Sequence, residues 1–218
     1  MIIDESTKSL EEKVYLALED AILSGEYKRG DALTEMSLCK KLGVSRTPVR
    51  SALHRLSEEG LIEVVPNRGA IVVGMNDDDL ADIYKIRIRL EGLASSMAAE
   101  RINEEEKSAL AETVELSEFY LGKGDVEKLK ELDTNFHIII YKASGNRTLS
   151  KILSELHRNI RSYRKLSLTV PGRLEKSIEE HKDILAAIQS GDAKRADEIT
   201  SHHIENAMNN MMIATKGR

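Results

Sequence analysis

One short stretch breaks an otherwise helical sequence. Residues 61–74 read LIEVVPNRGAIVVG, two β-branched runs flanking the turn signal PNRG, and this pattern predicts a hairpin. Elsewhere apolar residues recur at helical spacing, and only 4% of the chain is aromatic, with no Trp and three prolines, a mix that favours helices over a β-sandwich. What precedes the hairpin constrains the fold further. Ser9 and Glu12 form a capping box for a helix carrying Leu10, Val14, Leu18 and Ile22 on one face, and Gly25 ends it. Thr34 caps a second helix, EMSLCKKL, which Gly43 closes. Ser45 opens a third in VSRTPVRSALHRL, with Pro48 in the first turn, where a missing N–H is harmless. This helix runs to about Glu59 and buries Val49, Leu53 and Leu56. Three helices followed by a hairpin is the order of a winged helix-turn-helix.

After Gly74 only amphipathic helices are predicted, at about 77–101, 103–122, 125–143, 146–168, 173–190 and 192–214. Asn76, Asp125, Asn146 and Asp192 stand where N-caps belong. The expectation is a mostly α protein: a winged helix-turn-helix domain over residues 1–74, then an antiparallel six-helix bundle over 75–218. The single cysteine, Cys39, points to a reducing cytoplasm, and neither a signal peptide nor a membrane span is visible.

A net charge of −5 speaks weakly against nucleic acid, but the charge is unevenly spread. From Met36 to Arg55 there are five basic residues (Lys40, Lys41, Arg46, Arg50 and Arg55) and no acidic one. In a helix-turn-helix the second helix of the motif enters the major groove N-terminus first. Here that helix would expose Arg46, Thr47, Arg50 and Ser51. Arginine suits bidentate contact to guanine, and the hydroxyls of Ser45 and Thr47 suit phosphates. Lys41 is a further phosphate contact, and Asn67 and Arg68 at the hairpin tip would reach a minor groove or the backbone. A basic helix face alone is more often merely solvated; here it comes with a cap, a preceding helix and turn, and a wing.

These residues carry a resemblance. LTEMSLCKKLGVSRTPVRSALHRLSEEGLIEVVPNRGAIV resembles the DNA-binding domain of the GntR family of bacterial transcription regulators. The resemblance implies operator reading by Arg46, Thr47 and Arg50, with Arg68 and Gly69 in the wing. It also marks two departures: Asn67 stands where His is frequent, and Met36 where some members carry a basic residue.

Of the six histidines, three join a carboxylate on inward helix faces. Asp133 and His137 are four apart beside Leu129, Phe136 and Ile140. His181 falls in the apolar series Leu174, Ile178, Leu185 and Ile188. His203 shares a stripe with Ala196, Ile199, Ala207 and Met211, whereas His202 faces out. A single inward histidine is usually a hydrogen-bonded core residue. Three imidazoles and a carboxylate aimed inward together favour a divalent metal: Zn, Ni, Co, Mn or Fe.

ELDTNFHIII, YKIRIRLEGLASSMAAER and EEHKDILAAIQSGDAKRADEITSHHI resemble the all-helical effector-binding (FCD) domain of the FadR-type branch, in its shorter, VanR-like six-helix form. The resemblance implies a metal held by Asp133, His137, His181 and His203. It further implies a small organic acid effector on the metal's open side, with Arg87 as the matching arginine. Arg161 and Arg164, in NIRSYRKL, are further clamp candidates, with a solvated surface charge as the alternative. The expected function is a repressor that binds a palindromic double-stranded DNA operator as a homodimer and responds to that acid. A regulator with a purely structural metal is the alternative. An enzyme is a remote one, because Glu91 and Glu180 are the only nearby acid or base candidates and no nucleophile or nucleotide-binding motif occurs.

Overall fold

The computed structural model describes residues 9–23, 25–65, 69–74, 77–160, 163–164, 167–168 and 170–216. The hairpin-tip candidates Asn67 and Arg68, the clamp candidate Arg161 and the expected cap Asn76 lie outside them. The chain divides into two compact units, residues 1–76 and 77–217. The architecture is mostly helical, with one small antiparallel sheet.

In the first unit, α1 (Leu10–Leu23) packs on α3 (Arg46–Glu58), and α2 (Glu35–Leu42) stands beside α3. Val14, Leu18 and Ile22 of α1 meet the buried face Val49, Leu53 and Leu56 of α3, as the helical spacing requires. Thr34 caps α2 through the Ser37 N–H at 3.2 Å, and Gly43 ends it at φ 68°. The wing strands β2 (Ile62–Val65) and β3 (Gly69–Val72) pair antiparallel. A third strand, β1 (Ala32–Leu33), joins the other side of β3, giving the order β1-β3-β2. Gly69 makes the β1–β3 pairing possible. A Cβ there would lie 2.6 Å from the Leu33 carbonyl oxygen, and its φ of +89° suits only glycine.

In the second unit, six helices follow: α4 (Asp77–Arg101), α5 (Glu104–Lys123), α6 (Val126–Ala143), α7 (Arg147–Asn159), α8 (Arg173–Gln189) and α9 (Ala193–Lys216). Ala98, Leu110, Phe136, Ile140, Leu153, Ile184 and Ile188 belong to one apolar core. The two longest helices, α4 and α9, touch most closely through small residues. A Cβ on Gly92 would stand 2.2 Å from Asp197 Oδ1, and Thr200 Oγ1 donates to Ser95 Oγ at 2.8 Å. Five of the helices lie within two residues of expectation. α7 does not: it ends at Asn159, short of 168. Beyond it, the Arg164 N–H donates to the Ile160 carbonyl and the Leu168 N–H to that of Arg164. Ile160, Tyr163 and Leu168 are all buried, so the apolar rhythm runs on past the end of α7 and conceals it.

Candidate nucleic-acid interface and buried polar centre

On α3, Arg46, Thr47, Arg50 and Ser51 are exposed while Val49 and Leu53 are buried, the division a groove-reading helix needs. Ser45 occupies the N-cap position, but its side chain makes no cap hydrogen bond. The third helical residue is Pro48, which has no N–H to offer, so the hydroxyl remains available at an exposed helix start. Arg50 is not idle. Its Nε and Nη2 make a fork to Glu35 of α2 at 2.8 and 2.9 Å. Lys41 bonds Glu26 at 2.6 Å and the Tyr27 hydroxyl at 2.9 Å. Both pairs are solvent-exposed and weak enough to exchange for phosphate or base contacts. Arg55, counted in the basic stretch, faces the other way. Its guanidinium lies 3.6 Å from the Tyr15 ring centroid and pairs with Glu12 at 2.5 Å, which ties α3 to α1.

The second unit holds a buried polar centre among helices α4, α6, α8 and α9. The Nε2 atoms of His137 and His203 are 3.3 Å apart. One nitrogen from each of His137, His181 and His203 lies within 4.8 Å of the others. All three rings are buried, while His202 is exposed. The Asp133 carboxylate stands 3.7 Å from His181 Nε2, and Phe136 stacks on the His181 ring at 4.0 Å.

Two of the imidazoles are backed by carboxylates. His203 Nδ1 contacts Glu180 Oε2 at 2.6 Å, and His137 Nδ1 lies 3.0 Å from Glu91 Oε2. Each carboxylate is in turn held by a buried arginine: Arg173 Nη1 donates to Glu180 at 2.7 Å, and Arg87 Nε donates to Glu91 at 2.7 Å. Burial opposes charge on both carboxylates. The hydrogen bond from His203, with Arg173 behind it, nevertheless brings Glu180 down to about 2, and the charge of Arg87 holds Glu91 well below the ordinary range. Burial first, then neighbouring positive charge, pushes His181 well below the usual imidazole range; burial also lowers His203, against the pull of Glu180. His181 and His203 are therefore neutral near pH 7, the form that binds metal.

This arrangement fits a divalent metal on a specific ground. An imidazole whose Nδ1–H donates to a carboxylate presents a lone pair at Nε2. His203, whose Nδ1 bonds Glu180, turns its Nε2 toward that of His137 across 3.3 Å, while His137 Nδ1 and Glu91 Oε2, 3.0 Å apart, are buried without a hydrogen-bond partner; a cation between the two Nε2 atoms would use a lone pair from each ring. Two nitrogens on one tetrahedral ion, each at about 2.0–2.1 Å, stand about 3.3–3.4 Å apart. His181 Nε2 is buried without a hydrogen-bond partner, as a third ligand would be.

Arg164 is buried rather than a surface charge, bonding Asp133 at 2.6 Å and the ring of His157. Arg87 is also buried and lines the same cavity, with its Nη1 unpartnered. Four participants were not assigned these roles from the sequence. His157 accepts or donates to Tyr141 Oη at 3.2 Å; Arg173 opens α8; and Glu91 and Glu180 were singled out only as acid or base candidates. Their spacing held the signal: Arg87 and Glu91 are four apart, and Arg173 and Glu180 seven, one and two turns of the same helix face. The cavity lined by Arg87, Asp133, His137, Arg164, Arg173 and His203 measures about 20 Å³, room for a water or a bare ion.

The comparisons with known proteins agree on both units. The family described as "Bacterial regulatory proteins, gntR family" matches residues 10–72, and the "FCD domain" matches residues 82–206. The chain belongs to the GntR family of transcription regulators, with an FCD domain. A relative in Bacillus subtilis (strain 168), "Uncharacterized HTH-type transcriptional regulator YdhC", is 31% identical over 192 residues, 87% of this chain and 84% of that one. The "Probable D-xylose utilization operon transcriptional repressor" of Paenarthrobacter nicotinovorans is 28% identical over 84% of this chain and 80% of its own. Among solved structures, E. coli McbR/YncC superposes with a TM-score of 0.67 at 26% identity, covering 97% of this chain and 99% of that one. As a GntR–FCD protein the chain is a DNA-binding transcription regulator, and some of its relatives are named repressors. No helix among the described residues is long and apolar enough to cross a membrane.

Proposed function

We propose that the chain is a cytoplasmic bacterial repressor that binds a palindromic operator as a homodimer and is controlled by a small organic acid bound beside a divalent transition metal. Residues 1–74 contact DNA: Arg46 and Arg50 read bases, Ser45, Thr47 and Lys41 meet phosphates, and Asn67, Arg68 and Gly69 form the wing contact. Residues 75–218 hold the metal through Asp133, His137, His181 and His203. Glu91 and Glu180 orient two of the imidazoles, and Arg87, Arg164 and Arg161 receive the acid's carboxylate. The bound ion supplies fixed positive charge in the bundle core, which attracts an anionic effector and stabilises the fold.

The observation that carries this reading is the pair of carboxylate-backed imidazoles facing each other at 3.3 Å. Metal analysis of purified full-length protein is expected to find about one divalent transition metal per chain. A mobility-shift assay is expected to show preference for a palindrome over random DNA. Metal-free protein with unaltered melting, or equal binding to both DNAs, overturns the corresponding half.

A second reading, a structural metal with no effector, is favoured by the cavity volume of about 20 Å³, which is too small for an organic acid without side-chain movement. Operator titration in the presence of acids separates the two.

A further inference from the structure

One carboxylate stands against the helix that carries the candidate base-reading arginines. Glu35, in the first turn of α2, accepts from both Nε and Nη2 of Arg50 on α3, at 2.8 and 2.9 Å. The Arg50 side chain is 70% exposed and that of Glu35 32%. Arg46 lies one turn before Arg50 on the same helix, and its charge also reaches Glu35. The hydrogen bond from Arg50, helped by the charges of Arg50 and Arg46, lowers the Glu35 carboxyl below its usual range, so it is ionised at neutral pH.

An exposed ion pair contributes little to stability. A negative charge beside a helix that must approach phosphates also works against DNA binding in general. What a two-point fork does fix is direction. A guanidinium carries five N–H groups in one plane. The fork to Glu35 uses the Nε hydrogen and one of the two on Nη2. The end of the group, with one hydrogen on Nη1 and the second on Nη2, points away from that fork. Two parallel donors of this kind match the O6 and N7 acceptors of guanine. Arg50 can thus read a guanine without leaving Glu35, and its long side chain is ordered before DNA arrives, which removes part of the entropic cost of contact.

We infer that Glu35 is a positioning residue for base recognition: it grips the Arg50 guanidinium along its Nε–Nη2 edge and presents the Nη1–Nη2 end to a guanine in each half-site. Glu35 itself touches no base. The inference rests on the proposed reading that Arg50 reads bases.

To test it, full-length wild-type protein selects its preferred duplex from a random-sequence library. Every single base-pair substitution of that duplex is then titrated at one salt concentration with wild type, Arg50→Ala, Glu35→Gln and the double variant. Arg50→Ala becomes indifferent at one position per half-site, which marks the base pair that Arg50 reads. Glu35→Gln replaces one of the two acceptors by a donor. It lowers discrimination at that same position about 2- to 10-fold, the worth of ordering one long side chain, and leaves the other positions as in wild type. Removing the negative charge strengthens binding to all the duplexes alike and cancels in the ratio. In the double variant Glu35→Gln costs nothing beyond Arg50→Ala. Wild-type discrimination by Glu35→Gln at that position, an equal loss at every position, or a further loss in the double variant overturns the inference and leaves base reading by Arg50 standing. If Arg50→Ala relaxes no position, both fall.

Discussion

At the scale of single residues, direction decides function, and direction follows from helix phase. Arg46, Arg50 and Arg55 lie on one helix within ten residues, yet only the first two face solvent; Arg55 is turned onto Tyr15. Arg46→Ala and Arg50→Ala are therefore expected to lower operator affinity about 10- to 100-fold while leaving random-DNA binding nearly unchanged. Equal losses on both DNAs in a salt-matched titration remove the base-reading role. The adjacent histidines make the same point inside the bundle. His202 is exposed and His203 buried against Glu180, so His203→Ala is expected to abolish metal binding and His202→Ala to preserve it. The melting temperature supplies a second readout, since a ligand at 100 times its Kd adds about 2.7 kcal/mol to the folded state. This inward set was legible because 3.6-residue periodicity fixes which side a residue faces. The backing groups were not: Arg173 opens its helix beside a loop, and a charged residue there reads as solvent-facing until the fold closes over it.

At the scale of elements, local signals were reliable where the backbone itself is constrained. The caps at Thr34, Asp125 and Asn146 all accept the helix N–H groups their positions imply. The hairpin strands followed from two β-branched runs around one turn. The third strand was less legible: Ala32–Leu33 is two residues long, and its partner is set by tertiary approach rather than local pattern. Gly69 is the element that permits it. Gly69→Ala places a methyl group 2.6 Å from the Leu33 carbonyl in a backbone conformation that alanine disfavours. A cost of about 2–3 kcal/mol is expected from strain and displacement of β1. Thermal unfolding of the full chain should show it, and hydrogen exchange should localise the loss to residues 30–34 and 69–72. Unchanged exchange at Leu33 and Ala70 would mean that β1 is dispensable, leaving Gly69 only a role at the DNA surface.

At the scale of the whole molecule, regulation requires that the acid and the operator favour different states of one equilibrium. A ligand shifts a population only by its differential affinity for the two states, however tightly it binds. In a dimer reading half-sites about one helical turn apart, a small change in head spacing is enough to break one set of base contacts. Coupling of this kind is typically about 1–3 kcal/mol, so an organic acid that acts as effector should alter operator affinity roughly 5- to 150-fold. Linkage makes the expectation stricter. Operator DNA must alter the affinity for the acid by the same factor and in the same direction, because both numbers measure one free energy. Two titrations test it, operator against protein with and without saturating acid, and the acid against protein with and without operator. Matching factors well above one establish the coupling. A factor of one in both, with the acid bound, makes the bundle's centre a structural metal site that the DNA-binding unit does not sense.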